Sequence, residues 1–372
     1  MRVPLVDLAA QEAEVAGEVL AAIAAVAREA RFVLGPRVEA FEAWLAGECG
    51  ARHAVGVASG TDALELALRA LGVGEGDAVV TPAFSFVAAA EAIAATGARP
   101  VFCDVNVATL NADEASVGEA VARARTAGLR VRAVVPVDLF GACAPRRALR
   151  ELAARERLVL VEDAAQALGA RDDEGRPAGS AGDAAAFSFF PTKNLGAWGD
   201  AGAVVTSRDD VAARVRRLRA HGSTAPYLHA EAGRNSRMDA LQAAVLLAKS
   251  PRLPGWNAAR ARLAARYRAE LAHLPLVLPC DPAPPASAAW HAFVVRSGAR
   301  DALASFLRER AVEARVYYPV PLHRQECFAS LNEPPLPVTE EACRTALALP
   351  LFTTMTDDQQ SFVIEQLAAF HA

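Results

Sequence analysis

Lysine is nearly missing from this chain. Of 372 residues only Lys193 and Lys249 are lysine, and the rest of the 39 basic residues are arginine. A guanidinium stays charged at any relevant pH, so arginine can supply surface charge but cannot shed a proton and attack a carbonyl. A lysine kept in such a chain is a candidate for chemistry that arginine cannot perform. Cysteine is sparse and scattered: Cys49, Cys103, Cys143, Cys280, Cys327 and Cys343 show no close pairing. That excludes a disulfide framework and a cysteine metal site, and it suits a reducing compartment. No uncharged apolar run reaches the ~18 residues of a membrane helix. Asp7, Glu12, Glu14 and Glu18 interrupt the first apolar stretch, so it does not read as a secretory signal. A net charge of −4 gives no reason to expect nucleic acid. The arginine-dense stretches 208–219 and 260–268 interleave with alanine and leucine, as solvated faces of amphipathic helices do. The expectation is a cytoplasmic protein without membrane, nucleic-acid or metal partners.

What the chain has in abundance is apolar residues, 53% of the total, ample for two cores. Helical spacing covers 12–30 and 37–48. A short apolar run at 54–58 leads into Ser59-Gly60-Thr61-Asp62, which opens a helix ending at Gly72. Small and hydroxyl residues at a helix start leave N–H groups free for an anion, although they also make an ordinary cap. Val79-Val80, Val101-Phe102, 134–137 and 158–161 read as buried strands, with helices at 87–96 and 145–156 between them. This alternation predicts an α/β fold with a mostly parallel sheet covered on both faces, and ligands gather beyond the carboxyl ends of such strands. Asp163, Ser59–Asp62 and Phe84 all fall at such ends. Beyond Lys193 come a strand (202–206), a helix (209–220), a loop (221–233) and an apolar helix from 239. Lys249 lies near the end of that helix, where a cation suits the dipole. The run Ser250-Pro251-Arg252-Leu253-Pro254-Gly255 breaks the pattern and divides a large domain, 1–250, from a smaller α+β domain, 251–372. The latter is expected to hold a helix (256–272), strands at 291–296 and 314–318, and helices at 301–311 and 357–369.

Lys193 sits in Phe187-Ser188-Phe189-Phe190-Pro191-Thr192-Lys193-Asn194-Leu195-Gly196, with no basic neighbour. An isolated lysine, an acid at one strand end, an aromatic at another and anion-binding helix starts together match what pyridoxal phosphate requires. The lysine holds the aldehyde as a Schiff base and shuttles protons. The acid keeps the pyridine nitrogen protonated, the aromatic stacks on the ring, and helix N-termini take the phosphate.

Four collinear motifs carry a resemblance over nearly the whole chain. They are Ser59-Gly60-Thr61-Asp62-Ala63-Leu64, Val161-Glu162-Asp163-Ala164-Ala165-Gln166-Ala167, Ser188-Phe189-Phe190-Pro191-Thr192-Lys193-Asn194-Leu195-Gly196 and Asn235-Ser236-Arg237-Met238-Asp239. The sequence resembles the nucleotide-sugar aminotransferases of the DegT/StrS type, of the pyridoxal-phosphate-dependent transferase fold type I. The resemblance implies that Lys193 bonds the cofactor's aldehyde, Asp163 pairs with the pyridinium nitrogen and Gln166 contacts the phenolic oxygen. It further implies that Phe84 stacks on the ring and that Gly60, Thr61 and Ser188 bind the phosphate. Asn235 would reach the phosphate of the neighbouring subunit, making a homodimer with shared sites. Arg237, Tyr318 and His323 are candidate substrate contacts.

The implied reaction passes an amino group from an amino acid, by this resemblance glutamate, through pyridoxamine phosphate to a ketone on a nucleotide-linked hexose. Gln166 three residues after the acid and the run Lys193-Asn194-Leu195-Gly196 followed by Gly199-Asp200 look like members acting at C-3. Members acting at C-4 more often carry histidine at the Gln166 position, and that reading stays open beside a non-catalytic regulatory protein of the same family. Three positions depart from the pattern. Ala201 replaces a second glycine, Tyr317 stands where histidine often precedes Tyr-Pro, and Thr224–Gly233 follows no fixed form. A nicotinamide dehydrogenase is excluded, since no Gly-x-Gly-x-x-Gly follows the first strand.

Overall fold

The computed structural model describes residues 1–372. Seven strands form the main sheet: β1 (His53–Val57), β2 (Asp77–Pro82), β3 (Arg99–Cys103), β4 (Arg130–Val134), β5 (Val159–Asp163), β6 (Ala184–Ser188) and β7 (Gly202–Thr206). Their spatial order is β1-β7-β6-β5-β4-β2-β3. Every pairing is parallel except those of β7, which runs antiparallel to both β6 and β1. All five residues of β7 and all six of β2 are buried, as both-face coverage by helices demands. One consequence organises the molecule. The carboxyl ends of β1, β2, β5 and β6 and the amino end of β7 meet at one edge of the sheet.

The helix Gly60–Ala70 follows β1 directly and buries Ala63, Leu64, Leu66, Ala67 and Leu68 against the sheet. The segment expected to be one helix, 12–30, is two: Leu8–Ala13 and Ala16–Glu29, separated at Val15. The helix Glu114–Thr126 and the strand β6 escaped the sequence reading. β6 is alanine-rich, and alanine carries little strand signal. A hairpin, β8 (Ser223–Ala225) with β9 (Leu228–His229), projects from the surface with Tyr227 at its tip.

The last third builds a separate two-stranded sheet, β10 (Phe293–Arg296) paired antiparallel with β11 (Ala346–Leu349). Residues 314–318 do not form the expected strand. Arg315 alone pairs with Ala348, and the next residues turn so that Tyr317 and Tyr318 reach the cavity described below. The helix Leu253–Glu270 packs on this sheet with Leu263, Ala264 and Tyr267. Val3 joins the same cluster, because it pairs in parallel with Val312.

The arginine stretches are not simply solvated. Arg260 is buried, donates to the carbonyls of Trp290, His291 and Leu351, and has its pKa lowered to about 10 by burial. Arg219 is buried against Glu42 at 2.6 Å. Lys249 is likewise no surface cation. It is 1% exposed and pairs with Glu12, whose other carboxylate oxygen takes the indole N–H of Trp198 at 2.6 Å. All six cysteines are free, and no helix is long and apolar enough to cross a membrane.

Candidate active site

Where the strand ends converge there is a cavity of about 690 Å³. Its lining includes Ser59, Gly60, Thr61, Asp163, Gln166, Ser188, Lys193 and Tyr318. The sequence singles out seven of these eight individually, and Ser59 as part of the helix start Ser59–Asp62.

Asp163 is the last residue of β5. Strand alternation turns its side chain to the cavity and that of Glu162 to the interior. Asp163 is 5% exposed, and its carboxylate accepts the N–H of Ala165 at 3.1 Å. Burial raises its pKa, opposed by that N–H, by Lys193 and by Arg146. Behind it lies a sealed ion cluster. Arg146 bridges Asp138 and Glu162, and Glu162 also accepts the N–H groups of Gly179, Ala181 and Gly182 at 2.6–2.8 Å. The main-chain N–H of Asp138 donates to the carbonyl of Asp163 at 2.9 Å, so the cluster holds the strand end in place.

Lys193 lies in the turn after β6. Burial lowers its pKa to about 8, against the opposing pull of Asp163. Its amine makes no hydrogen bond within the protein and lines the cavity beside Asp163. A lysine held this way reaches the neutral, nucleophilic state near neutral pH.

The floor of the cavity is a close approach of three chain segments. Ser59 caps the helix Gly60–Ala70 through Asp62 N–H at 3.1 Å. A Cβ on Gly60 would lie 2.6 Å from Cβ of Ser188, and one on Gly202 would lie 2.2 Å from the carbonyl oxygen of Ser59. Glycine is therefore required at both places. The free N–H groups at this helix start, with the Thr61 and Ser188 hydroxyls, form an anion cradle.

Gln166 is oriented by both ends of its amide. Its oxygen accepts the N–H of Phe140 at 2.7 Å, and its nitrogen donates to the hydroxyl of Tyr318 at 3.2 Å. One amide hydrogen remains for a ligand.

The aromatic assignment requires correction. Phe84 is 1% exposed, in the core edge-to-face with Phe140 and Tyr318, and does not line the cavity. Phe86, two residues on, lines it and is 56% exposed. The chain leaves β2 at Pro82, and the first aromatic after it completes the core. His323 is also elsewhere: it is buried against Phe102, with Nε2 3.1 Å from Glu340. Arg237 and Asn235 do not line this cavity. Ser236 between them is anchored to Asp62 at 2.6 Å, while Asn235 faces solvent.

Residues that sequence reasoning passed over complete the walls: Leu5, Val6 and Leu8 from the chain start, and His291, Glu313 and Arg315 from the small sheet region. Glu313 accepts from Arg2 at 2.8 Å and from Leu5 N–H at 3.4 Å, fixing the first residues over the cavity. Only the pairing of distant segments brings these residues here, and no local motif announces it.

Such a site offers a titratable amine, a buried acid, an anion cradle and an exposed aromatic face around one space. Comparison with known proteins agrees with this chemistry. The chain is 42% identical to a pleiotropic regulatory protein of Geobacillus stearothermophilus, covering 100% of this chain and 99% of that one. It is 45% identical to the dTDP-3-amino-3,4,6-trideoxy-alpha-D-glucose transaminase of Streptomyces venezuelae, covering 98% and 95%. The crystal structure of S. venezuelae DesV in complex with a ketimine intermediate superposes with a TM-score of 0.94 at 44% identity, over 100% and 98% of the two chains. Residues 14–368 match throughout, and the chain belongs to the DegT/DnrJ/EryC1/StrS aminotransferase family.

Proposed function

We propose that this protein transfers an amino group from an amino acid, glutamate by preference, to the C-3 keto group of a nucleotide-linked sugar. The observation that carries this reading is the placement of Lys193, with its lowered pKa, and buried Asp163 on one cavity. Position C-3 is supported by the name of the 45% identical Streptomyces transaminase and by glutamine, not histidine, at 166.

The residues present fit pyridoxal phosphate. The cradle of Gly60, Thr61 and Ser188 suits its phosphate, the cavity-facing edge of Asp163 its pyridine nitrogen, the spare Gln166 hydrogen its phenolic oxygen, and Phe86 its ring face. When bound, this group supplies an aldehyde that an amine can condense with and a ring that withdraws electrons from the substrate carbon. Lys193 would hold the group through its aldehyde, and its free amine would carry a proton to and from the substrate carbon. Asp163 must remain ionised for its part. A cationic partner in the cavity favours that state and offsets the burial that raises its pKa. The apolar wall of Leu5, Val6 and Leu8 keeps water from the reacting carbon.

The working unit in this proposal is a homodimer in which Asn235 reaches the partner's phosphate cradle. Exposure of Asn235 outside its own cavity supports it. A division into domains at 250/251 belongs to the same proposal, with Val3 assigned to the second core.

The 42% identical regulatory protein favours a second reading, a cofactor-binding regulator. Absorbance separates the two. The purified protein incubated with pyridoxal phosphate should absorb in the near-visible, shift on adding glutamate, and shift back with a nucleoside-diphosphate 3-keto sugar. A protein that binds the cofactor but responds to neither amino acid nor keto sugar would be a regulator.

A further inference from the structure

His291 lies just before β10 and lines the same cavity as Lys193 and Asp163. Its tautomer follows from its neighbours. The nitrogen of the Asn194 amide donates to the carbonyl of Ala289 at 2.7 Å and to Oδ1 of Asn257 at 2.8 Å. A main-chain carbonyl can only accept, so the atom facing Ala289 is nitrogen. Asn257 is fixed in the same way, because its own amide nitrogen donates to the carbonyl of Leu168 at 3.0 Å. The remaining atom of the Asn194 amide is then oxygen, and it lies 3.2 Å from Nδ1 of His291. An oxygen at that place requires a hydrogen on Nδ1, which leaves the lone pair of the neutral ring on Nε2.

A second proton is kept off. Burial, with Lys193 and Arg260 as nearby cations, holds the ring well below its ordinary pKa. Nε2 is neither paired within the protein nor sealed from the cavity. It is a fixed acceptor waiting for a donor.

The two substrates differ in what they can offer it. A glutamate donor presents its amino group to the reacting centre and otherwise only carboxylates, which accept and are repelled by a lone pair. A sugar presents hydroxyl donors beside the reacting carbon. We propose that His291 is a specificity residue whose Nε2 accepts a hydrogen bond from a hydroxyl of the sugar and takes no part in the reaction with the amino donor. The proposal rests on the nucleotide-sugar reading above. A buried acceptor left without its donor discriminates strongly against a ligand lacking that group.

The test uses the enzyme in its pyridoxal form, mixed in separate single-turnover experiments with glutamate and with a uridine- or thymidine-diphosphate-linked 3-amino-3-deoxyhexose, followed by absorbance. His291→Asn keeps a donor near the Nδ1 position and deletes the Nε2 acceptor; His291→Gln places an oxygen near Nε2. We expect His291→Asn to slow the sugar reaction at least tenfold and the glutamate reaction less than twofold, with His291→Gln recovering much of the loss. Equal slowing of both reactions, or of neither, overturns the proposal. Nitrogen-15 spectra of histidine-labelled protein give a second readout. The signal missing in His291→Asn should be that of an unprotonated Nε2, and a protonated Nε2 would also overturn it. If the unaltered enzyme reacts with glutamate but with no amino-sugar nucleotide, the sugar reading fails and this proposal with it, while the spectra still report the tautomer.

Discussion

Gln166 donates its amide hydrogen to the hydroxyl of Tyr318 across 3.2 Å, tying the segment after β5 to the small-sheet region. With its oxygen already taken by Phe140 N–H, the side chain is a donor toward the cavity. Glu at this position could still accept from Phe140 but would have no hydrogen for a ligand. Gln166→Glu should weaken pyridoxal phosphate binding roughly tenfold, the value of about one hydrogen bond to a charged group. An absorbance titration measures it, and unchanged affinity would remove Gln166 from the cofactor contacts.

Lys193 gives a prediction with a definite sign. Its pKa falls from 10.5 unfolded to about 8 folded, so between those values the unfolded chain binds more protons and stability rises with pH. Below pH 8 the full cost of burying the ammonium is present. Lys193→Met should therefore stabilise the cofactor-free protein at pH 7 by about 1–3 kcal/mol. The gain should shrink as pH climbs from 8 toward 10.5. Urea titrations across that range test it; a gain independent of pH would mean the amine is not buried as described.

Gly60 permits the approach of Ser188, and a methyl group there meets Cβ and Cα, not a flexible tip. Gly60→Ala should cost about 1–3 kcal/mol of stability through forced backbone movement. It should also weaken the binding of inorganic phosphate and of the cofactor together. Ser188→Ala should weaken binding with little change in melting temperature. Calorimetry of the two variants distinguishes crowding from lost hydrogen bonding.

Glu12 and Lys249 are unequal partners, because the lysine side chain is 1% exposed and the carboxylate 25%. Removing the carboxylate strands a sealed charge; removing the amine leaves a carboxylate that water and Trp198 can reach. Glu12→Ala should cost about 3 kcal/mol and Lys249→Met clearly less. Chemical denaturation reads the difference, and the reverse order would contradict the burial described.

Much of this was legible in the sequence because the informative residues lie close to strand ends. Asp163 follows a β-branched run and Lys193 is one of two lysines, so both could be named before any fold was known. Phe84 was misjudged because Phe84 and Phe86 point to the same side of an extended segment in sequence terms. Only packing shows that the first fills the core against Phe140 and Tyr318. Lys249 read as a helix-end cation because its partner Glu12 is 237 residues away. His291 had no local signal at all, since its role depends on Asn194, Asn257 and two main-chain carbonyls brought together by tertiary structure.

Val3 lies beside Val312, and Leu5 accepts the N–H of Leu351. Closing a loop of that span carries an entropic cost that only the finished contacts offset. The part of the cavity wall that Leu5 and Leu351 form must then be among the last features to appear as the polypeptide leaves the ribosome. A nascent chain halted at residue 250 would hold Asp163 and Lys193 yet lack Glu313, Arg315 and Leu351 of the lining, and an amine left open to water would return toward the pKa of a free lysine and stay protonated. On this reading the final third completes the burial that makes the amine a nucleophile, and a stalled chain should carry an ordinary charged lysine.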